Sequence, residues 1–165
     1  SGSVLTSDVS KWEELFRTNV IGAGLLMRRA AERMIAAGPS PEAGDEWLRR
    51  PRDIVVLGST VGRHVSPFSS LYGGSKFAVH GMVEGLRREV ARHGIRVSLI
   101  EPGIVKSEFQ GVAGYDPETF GAFMEKVAPV LSPEDVARAI AFVASQPAGV
   151  HVGDVLIRGT RQEYP

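Results

Sequence analysis

The chain has 165 residues, the size of a single domain, and its 19 basic and 19 acidic side chains cancel, which gives no indication of a nucleic-acid partner or an anionic membrane surface. It has no cysteine, which excludes disulfides, thiolate catalysis and cysteine-ligated zinc. No apolar run approaches the ~20 residues of a membrane span, and the start, SGSVLTSDV, is unlike a signal peptide, so we expect a soluble cytoplasmic protein that acts on a small molecule.

The first predicted element is a helix from Ser10 to Ala37, in which apolar residues recur at helical spacing. Gly22 and Gly24 fall inside it, where each costs about 1 kcal/mol relative to alanine. We therefore expect close packing or a local distortion of the helix near Asn19. Taken by itself, Asn19 is best explained as a helix asparagine that bonds to its own backbone.

The stretch from Asp53 to Lys76 predicts a strand, a turn-rich loop and the first turns of a helix. The strand contains the run Ile-Val-Val-Leu, which is typical of a parallel strand covered on both faces, and Ser59 follows it. Tyr72 and Lys76 are four positions apart and so share a helix face. A neighbouring cation favours the charged form of a phenol, whose ordinary pKa is about 10. Tyr72 could then exchange a proton with a substrate oxygen near neutral pH.

A second helix is predicted from Ser70 to His93, and Gly94 ends it. A second buried strand follows from Ile95 to Ile100. Pro102 and Gly103 come after its carboxyl end, which is where ligands of open parallel sheets bind. A glycine at this place lets the backbone pass close to a flat ring. The sequence therefore predicts that this turn contributes to a binding site.

Residues 106–131 are a candidate substrate lid, because they connect a strand to a helix and mix glycine, aromatic residues and methionine. A short helical pattern runs from Pro117 to Val127. Five apolar residues of this segment could line the pocket or could simply pack the lid onto the protein, and the sequence favours neither interpretation: Phe109, Tyr115, Phe120, Phe123 and Met124.

A last helix is predicted from Pro133 to Ser145, with Ser132 as its cap and the proline at its first position. A last strand is predicted from Gly153 to Arg158. The order helix, strand, helix, strand, lid, helix, strand indicates an α/β fold. It corresponds to the C-terminal portion of a Rossmann-like doubly wound parallel sheet, with three strands and flanking helices.

The four histidines are scattered, and none has a ligand partner at helical spacing, so we predict no metal site. His64 is interpreted as a solvated loop residue. His80 and His93 are interpreted as structural, His93 because a cation suits the C-terminus of a helix.

The residues that carry the predicted chemistry form a constellation of a serine after a strand, a Tyr-x-x-x-Lys pair and a Pro-Gly turn: Ser59, Tyr72, Lys76, Pro102 and Gly103. In spacing and context this constellation resembles the short-chain dehydrogenase/reductase (SDR) family. The resemblance runs from about Thr6 to the C-terminus. It also matches Asn19, within FRTNVIG, to the fourth catalytic residue of that family.

The resemblance implies a reversible hydride transfer between NAD or NADP and a carbonyl or secondary alcohol. It implies that Tyr72 transfers the proton and that Ser59 hydrogen-bonds the substrate oxygen. Lys76 would lower the pKa of Tyr72 and hold the nicotinamide ribose, while Asn19 would order a water that links Lys76 to solvent. Tyr72 and Lys76 are thus also expected to contact the cofactor, together with four residues after the second strand: Pro102, Gly103, Val105 and Ser107. Ser107 stands where the family usually has threonine.

The resemblance covers the second half of the family's domain, so residues 1–165 are expected to be the C-terminal part of a single Rossmann-fold domain. Its catalytic segment would be 53–93 and its lid about 106–131. In the family, the first half carries the glycine-rich phosphate turn and the residue that selects NAD or NADP, and we expect that half to exist outside these residues. The stretch RGTRQ, residues 158–162, resembles a subgroup that acts on 3-hydroxy acids and aldehydes, which favours NADP.

Two other functions are weighed against this one. Serine hydrolysis would need glycine two positions before and after the serine, but Leu57 and Val61 flank Ser59 there. The alternative that stays open is an inactive remnant that serves as a dimerisation or scaffold module. In the family, helices equivalent to residues 10–37 and 70–93 pair across a dimer, so we expect a homodimer or homotetramer.

Overall fold

One parallel sheet organises the chain in the computed structural model, which describes residues 2–40, 42–108, 111 and 116–163. Its strands β1 (Arg52–Leu57), β2 (Ile95–Pro102) and β3 (Asp154–Ile157) lie in that order. Both neighbouring pairs are parallel, so the carboxyl ends of the strands meet at the same edge. The predicted α/β fold with three parallel strands and flanking helices is confirmed.

Helices flank the sheet at the places that the sequence predicts. α1 (Trp12–Phe16), a π-helical segment (Arg17–Gly22) and α2 (Ala23–Ala37) follow one another without a break. The later helices are α3 (Ser70–Val90), α4 (Pro117–Val127) and α5 (Pro133–Ala144). Short 3₁₀ turns occupy four further places in the described residues: Val9–Lys11, Gly44–Arg49, Thr60–Gly62 and Ala91–His93.

Two helix ends show the local chemistry that made them predictable. Gly94 has a φ of 65°, a left-handed conformation that glycine adopts without strain, and it ends the helical run that begins with α3. Ser132 and Asp135 form a reciprocal capping box at the start of α5. Pro133 occupies the first turn, where its missing N–H leaves no helical bond unmade.

The core consists of two clusters, one on each face of the sheet. Successive side chains of a strand point to opposite faces, so Val97 and Leu99 pack with residues of α2 and α3, whereas Ile100 packs with residues of α5. Val97 and Ile100 are both fully buried. β2 is therefore the central strand of the described sheet, with helices on both of its faces.

β1 is less buried than its sequence predicts. Its apolar run indicates a strand covered on both faces, yet only Ile54 is buried, Val55 and Val56 are half-buried, and Leu57 is 50% exposed. In the described residues β1 is the outer strand, with β2 as its neighbour. A second neighbouring strand and its helix would bury more of the β1 side chains. Their absence from the described residues explains why β1 is more exposed than predicted.

A buried arginine joins the amino ends of β1 and β2 to the C-terminal end of α5. Arg96 is 6% exposed, and its Nε and Nη2 each lie 2.7 Å from a carboxylate oxygen of Asp53, its register partner on β1. Its guanidinium also donates to the carbonyl oxygens of Gln146, Pro147, Val150 and Ala144, at 2.9–3.2 Å. Carbonyls after a helix end need donors from outside the helix, and Arg96 supplies them.

We expect Arg96→Ala to lower the free energy of unfolding by about 3–5 kcal/mol, because it leaves the carboxylate of Asp53 inside the protein without its cation. Arg28→Ala is the matched control, since Arg28 pairs with Glu32 on the exposed face of α2 and such a pair contributes less than about 1 kcal/mol. Urea denaturation of both variants measures the difference. Similar losses in the two variants would contradict the role assigned to Arg96.

Candidate active site

Lys76 lies between the end of β1 and the ring of Tyr72. Its Nζ donates to the carbonyl oxygen of Leu57 at 3.1 Å and lies 5.7 Å from the centroid of the Tyr72 ring. The two side chains thus share one face of α3, as their spacing predicts. Burial lowers the pKa of the Lys76 ammonium below its ordinary value, because a charged amine loses its hydration there.

Ser59 stands at the turn between β1 and the loop that leads to α3. Its backbone is extended, and its Oγ accepts a hydrogen bond from the Val61 N–H at 3.4 Å, which caps the Thr60–Gly62 turn. α3 packs against this turn. A Cβ added at Gly73, in the first turn of α3, would lie 3.4 Å from the carbonyl oxygen of Val61. The end of β1 and the start of the helix that carries Tyr72 and Lys76 are therefore in close contact.

Asn19 lies in the π-helical segment Arg17–Gly22, so the predicted local distortion of this helix is present. Its side-chain amide does not stay on its own helix, because Nδ2 donates to Oγ of Ser75 on α3 at 3.1 Å. Ser75 is fully buried, and its hydroxyl donates to the carbonyl oxygen of Tyr72 at 2.7 Å. π-helical turns are frequent at functional sites. Here the turn directs Asn19 to the residue that immediately precedes Lys76.

A cavity of about 450 Å³ opens beside Lys76 and Asn19. Its walls come from β1, α3 and the helix that contains the π segment, and they are mostly apolar: Thr18, Gly22, Ala23, Leu26, Val56, Leu57 and Val79. Lys76 and Asn19 are the amine and the amide at this cavity. The Lys76 amine is able to donate to a ribose hydroxyl of NAD or NADP, whereas the apolar wall at Val56 and Leu57 lies on the uncovered side of β1.

The turn after β2 is held by the C-terminal stretch of the described chain. The Gly103 N–H donates to the carbonyl oxygen of Ile157 at 2.7 Å, and the Ile104 N–H donates to Oε1 of Gln162 at 3.0 Å. A Cβ at Gly103 would lie 2.4 Å from that same Gln162 oxygen and 2.9 Å from Cβ of Arg158. Close packing of the C-terminal stretch thus favours a glycine here, independently of any bound ring. The sequence analysis did not predict a role for Gln162. The resemblance of RGTRQ, which contains this residue, was the one feature that could have indicated it.

Val105 and Ser107 mark the start of the candidate lid. Val105 forms a parallel β-bridge with Leu131, the Lys106 N–H donates to the Leu131 carbonyl at 2.8 Å, and the Leu131 N–H donates to the Ile104 carbonyl at 3.0 Å. Ser107 is exposed just beyond this bridge. The two ends of the segment 106–130 are thereby joined at one point.

Within the candidate lid, α4 carries three of the five predicted apolar residues. The rings of Phe120 and Phe123 lie 6.2 Å apart at 54°, so these two residues pack on each other. Phe123 is 40% exposed. Phe109 and Tyr115 lie outside the described residues. Whether these side chains line a substrate pocket stays a prediction.

An ion pair that the sequence did not predict lies just before the Pro102–Gly103 turn, between the buried Glu101 and Arg63, whose side chain is 44% exposed. Glu101 is fully buried, and the guanidinium of Arg63 binds both its carboxylate oxygens at 2.5 and 2.6 Å. Arg63 belongs to the loop that follows Ser59, and Glu101 immediately precedes Pro102. This pair therefore ties the loop between Ser59 and α3 to the end of β2.

The described residues contain no group of three or more histidine, cysteine or acidic residues arranged to hold a metal ion. No helix among them has both the length and the apolar character that a membrane crossing would need.

Comparison with known proteins places this geometry among the dehydrogenases. The family described as short chain dehydrogenase matches residues 1–117. The Bos taurus protein named dehydrogenase/reductase SDR family member 11 is 34% identical over 165 residues, which cover 97% of this chain and 60% of that protein. The chain thus spans about 60% of the length of this curated relative.

Two solved structures of serine dehydrogenase are similar over 99% of this chain. The closed form complexed with NADP+ has a TM-score of 0.82 at 27% identity, with 61% of its chain covered. The enzyme from Escherichia coli has a TM-score of 0.73 at 25% identity, with 60% of its chain covered.

Proposed function

The chain belongs to the short-chain dehydrogenase family, and on that premise we propose that it forms the catalytic portion of an NAD(P)-dependent oxidoreductase. The observation that carries this proposal is the position of Lys76, which lies over the ring of Tyr72, is bound to the end of β1, and shares a cavity with Asn19. Such an arrangement suits proton transfer at the mouth of a cofactor site. The reaction is the interconversion of a carbonyl and a secondary alcohol.

In this reaction the bound nicotinamide supplies or accepts the hydride, and the residues of this chain handle the oxygen and its proton. The Ser59 hydroxyl donates to the substrate oxygen. During reduction, the Tyr72 hydroxyl gives its proton to that oxygen as the alcohol forms. The Lys76 ammonium stabilises the phenolate that is left, and the proton returns from solvent past Asn19. During oxidation, the phenolate takes up the proton instead.

We also propose that the complete enzyme contains structural elements that these residues do not include. The chain spans about 60% of its bovine relative, and β1 has one neighbouring strand and an exposed Leu57 in the described residues. We place a further strand beside β1 and the phosphate-binding turn in the part of the longer protein that these residues do not include. The edge of β1 offers unpaired backbone groups for such a strand.

We further propose NADP as the preferred cofactor and a small 3-hydroxy acid or related aldehyde as the substrate. The likeness to a serine dehydrogenase solved with NADP+ supports this choice. The position of the lid supports the choice of a small substrate, because its ends meet at the Val105–Leu131 bridge next to the Pro102–Gly103 turn. A lid anchored there can cover a small polar substrate held by Ser59 and Tyr72.

In the full-length enzyme, we expect Tyr72→Phe to lower kcat at least about 100-fold, the contribution typical of a general acid or base. The affinity for NADPH should change less than about threefold, because the ring and Lys76 stay in place. Turnover is followed by nicotinamide absorbance and affinity by nicotinamide fluorescence. Tyr164→Phe, which removes a phenol with no proposed role, is the control. Unchanged turnover in Tyr72→Phe would remove Tyr72 from the mechanism.

The alternative, an inactive remnant that acts as a scaffold, differs in one measurable property. Titration of the wild-type protein with NADPH and with NADH would show binding of at least one nucleotide if it is an oxidoreductase. Binding of neither, in a protein that still oligomerises, would favour the scaffold.

We propose a homodimer or homotetramer that forms through the helices at residues 10–37 and 70–93. These helices expose apolar side chains that a partner copy can bury, among them Ile21 at 58%, Leu25 at 57% and Phe77 at 43%. Isolated exposed apolar residues are ordinary, but several on adjoining helices form a surface suited to a partner.

We expect Leu25→Glu to dissociate this oligomer, because the partner copy would have to bury an unpaired carboxylate. Light scattering of the full-length protein measures the molar mass, which should fall to that of the monomer. Leu5→Glu serves as the control, because Leu5 is 95% exposed and lies outside both helices. An unchanged mass for Leu25→Glu would place the interface elsewhere.

A further inference from the structure

His80 occupies a slot behind Ser59 that two glycines leave open. It lies on α3 one turn after Lys76, and its side chain is only 13% exposed. A Cβ added at Gly58 would lie 2.4 Å from Nε2 of His80, and a Cβ added at Gly62 would lie 2.3 Å from its Cε1. The imidazole is therefore enclosed by the backbone on both sides of Ser59.

The hydrogen bonds of His80 determine which of its nitrogens carries the proton. The backbone N–H of Ser59 lies 3.3 Å from Nε2, and since a backbone amide can only donate, Nε2 must be the unprotonated acceptor. The neutral ring then carries its hydrogen on Nδ1. That atom faces Oε2 of Glu101 at 3.6 Å, and a carboxylate favours a hydrogen on the nitrogen it faces. Glu101 is itself fixed by Arg63.

We propose that His80, as the neutral Nδ1–H tautomer with Nδ1 facing Glu101, is a positioning residue that fixes the backbone of Ser59 and so the direction of its hydroxyl. The inference rests on the proposed function, in which Ser59 binds the substrate oxygen. Protonation of His80 would put a hydrogen on Nε2, facing the N–H of Ser59. The acceptor would be lost, and the end of β1 would have to move away from the ring.

The charged groups around His80 influence the pH at which it gains a proton. They come from the loop after β1, from α3 and from the other two strands: Arg63, Lys76, Glu84, Arg87, Glu101 and Asp154. Burial is the largest influence and lowers the pKa of His80. The carboxylates of Glu101 and Asp154 raise this pKa, and the cations of Arg63 and Lys76 lower it. Because the net shift is downward, the ring is neutral at pH 7. It gains a proton only below its ordinary pKa of about 6.5.

A purely structural histidine would behave differently. If His80 only filled the space beside Gly58 and Gly62, an apolar residue of similar volume would replace it, and catalysis would not follow its titration. If His80 positions Ser59, the acceptor at Nε2 is what matters. His80→Gln can place an amide oxygen near the position of Nε2 and has no proton to gain, whereas His80→Leu fills the slot without an acceptor.

The test compares wild type, His80→Gln, His80→Leu and the control His93→Gln in the full-length enzyme, with kcat and kcat/KM measured across acidic and neutral pH. We expect His80→Leu to lose about tenfold in kcat at every pH, as for a buried donor left without its acceptor, while NADPH affinity stays within about threefold. We expect the wild-type kcat to decline at acidic pH as His80 gains a proton. His80→Gln should keep kcat within about threefold of wild type at neutral pH and should lack that decline. His93→Gln should follow wild type throughout.

Equal impairment of His80→Gln and His80→Leu would overturn the proposal, as would a His80→Leu enzyme with wild-type kcat and acidic decline. NADPH titration identifies a variant that has failed to fold. Nitrogen-15 spectra of histidine-labelled protein, with the His80 signal assigned by its absence from His80→Gln, read the tautomer directly. Nδ1–H at pH 7 is the expected result, and Nε2–H would overturn the proposal. If the wild type turned over no carbonyl or alcohol, the proposed function would fail, but the tautomer would still decide this inference.

Discussion

The candidate site depends on the parallel hydrogen-bond ladder between β1 and β2. The ladder continues past the last residue of β1, because the Gly58 N–H donates to the carbonyl oxygen of Ile100 at 2.7 Å. Ser59 therefore leaves the sheet at a fixed place beside Glu101. The carboxyl ends of parallel strands meet at one edge, so a serine after one strand and a Pro-Gly turn after the next become neighbours. Lys76 completes the arrangement by binding the carbonyl of Leu57.

Two arginine–carboxylate pairs hold the two ends of this ladder. Arg96 and Asp53 pair at its amino end, and Arg63 and Glu101 pair at its carboxyl end. A slip of one residue would move Asp53 to the face of the sheet opposite to Arg96, and an unpaired buried charge is strongly destabilising. The Arg96–Asp53 pair therefore favours the observed register. The exposed ion pair of Glu84 and Arg87 lowers the pKa of Glu84 to about 2, yet it does not constrain the strands.

The sequence predicted those features that local chemistry determines. Gly94, the bounds of α4 and the cap at Ser132 follow from turn and capping preferences within a few residues. The shared face of Tyr72 and Lys76 follows from helical geometry. The distortion near Asn19 was indicated by glycines, but its π-helical form was not, since that form depends on packing against α3.

Features that depend on distant partners were not predictable from the sequence. Arg63 and Glu101 are 38 residues apart, and no pattern marks the Glu101 carboxylate as buried. Gln162 reaches Ile104 across 58 residues. The exposure of β1 depends on its neighbours rather than on its own residues. His80 was interpreted as structural because a single histidine on a helix carries no sign of which backbone it meets.

The bridge between Val105 and Leu131 has a consequence for how substrate preference can change. Because the segment between these residues leaves and rejoins the protein at one point, its ends are already together, and the entropy of closing it varies only slowly with its length. A shorter, longer or chemically different segment could be spliced in at the bridge. The Pro102–Gly103 turn on one side and the α5 cap on the other would keep their own hydrogen bonds. The fold thus presents this stretch as an exchangeable cassette, through which one scaffold can be adapted to new substrates.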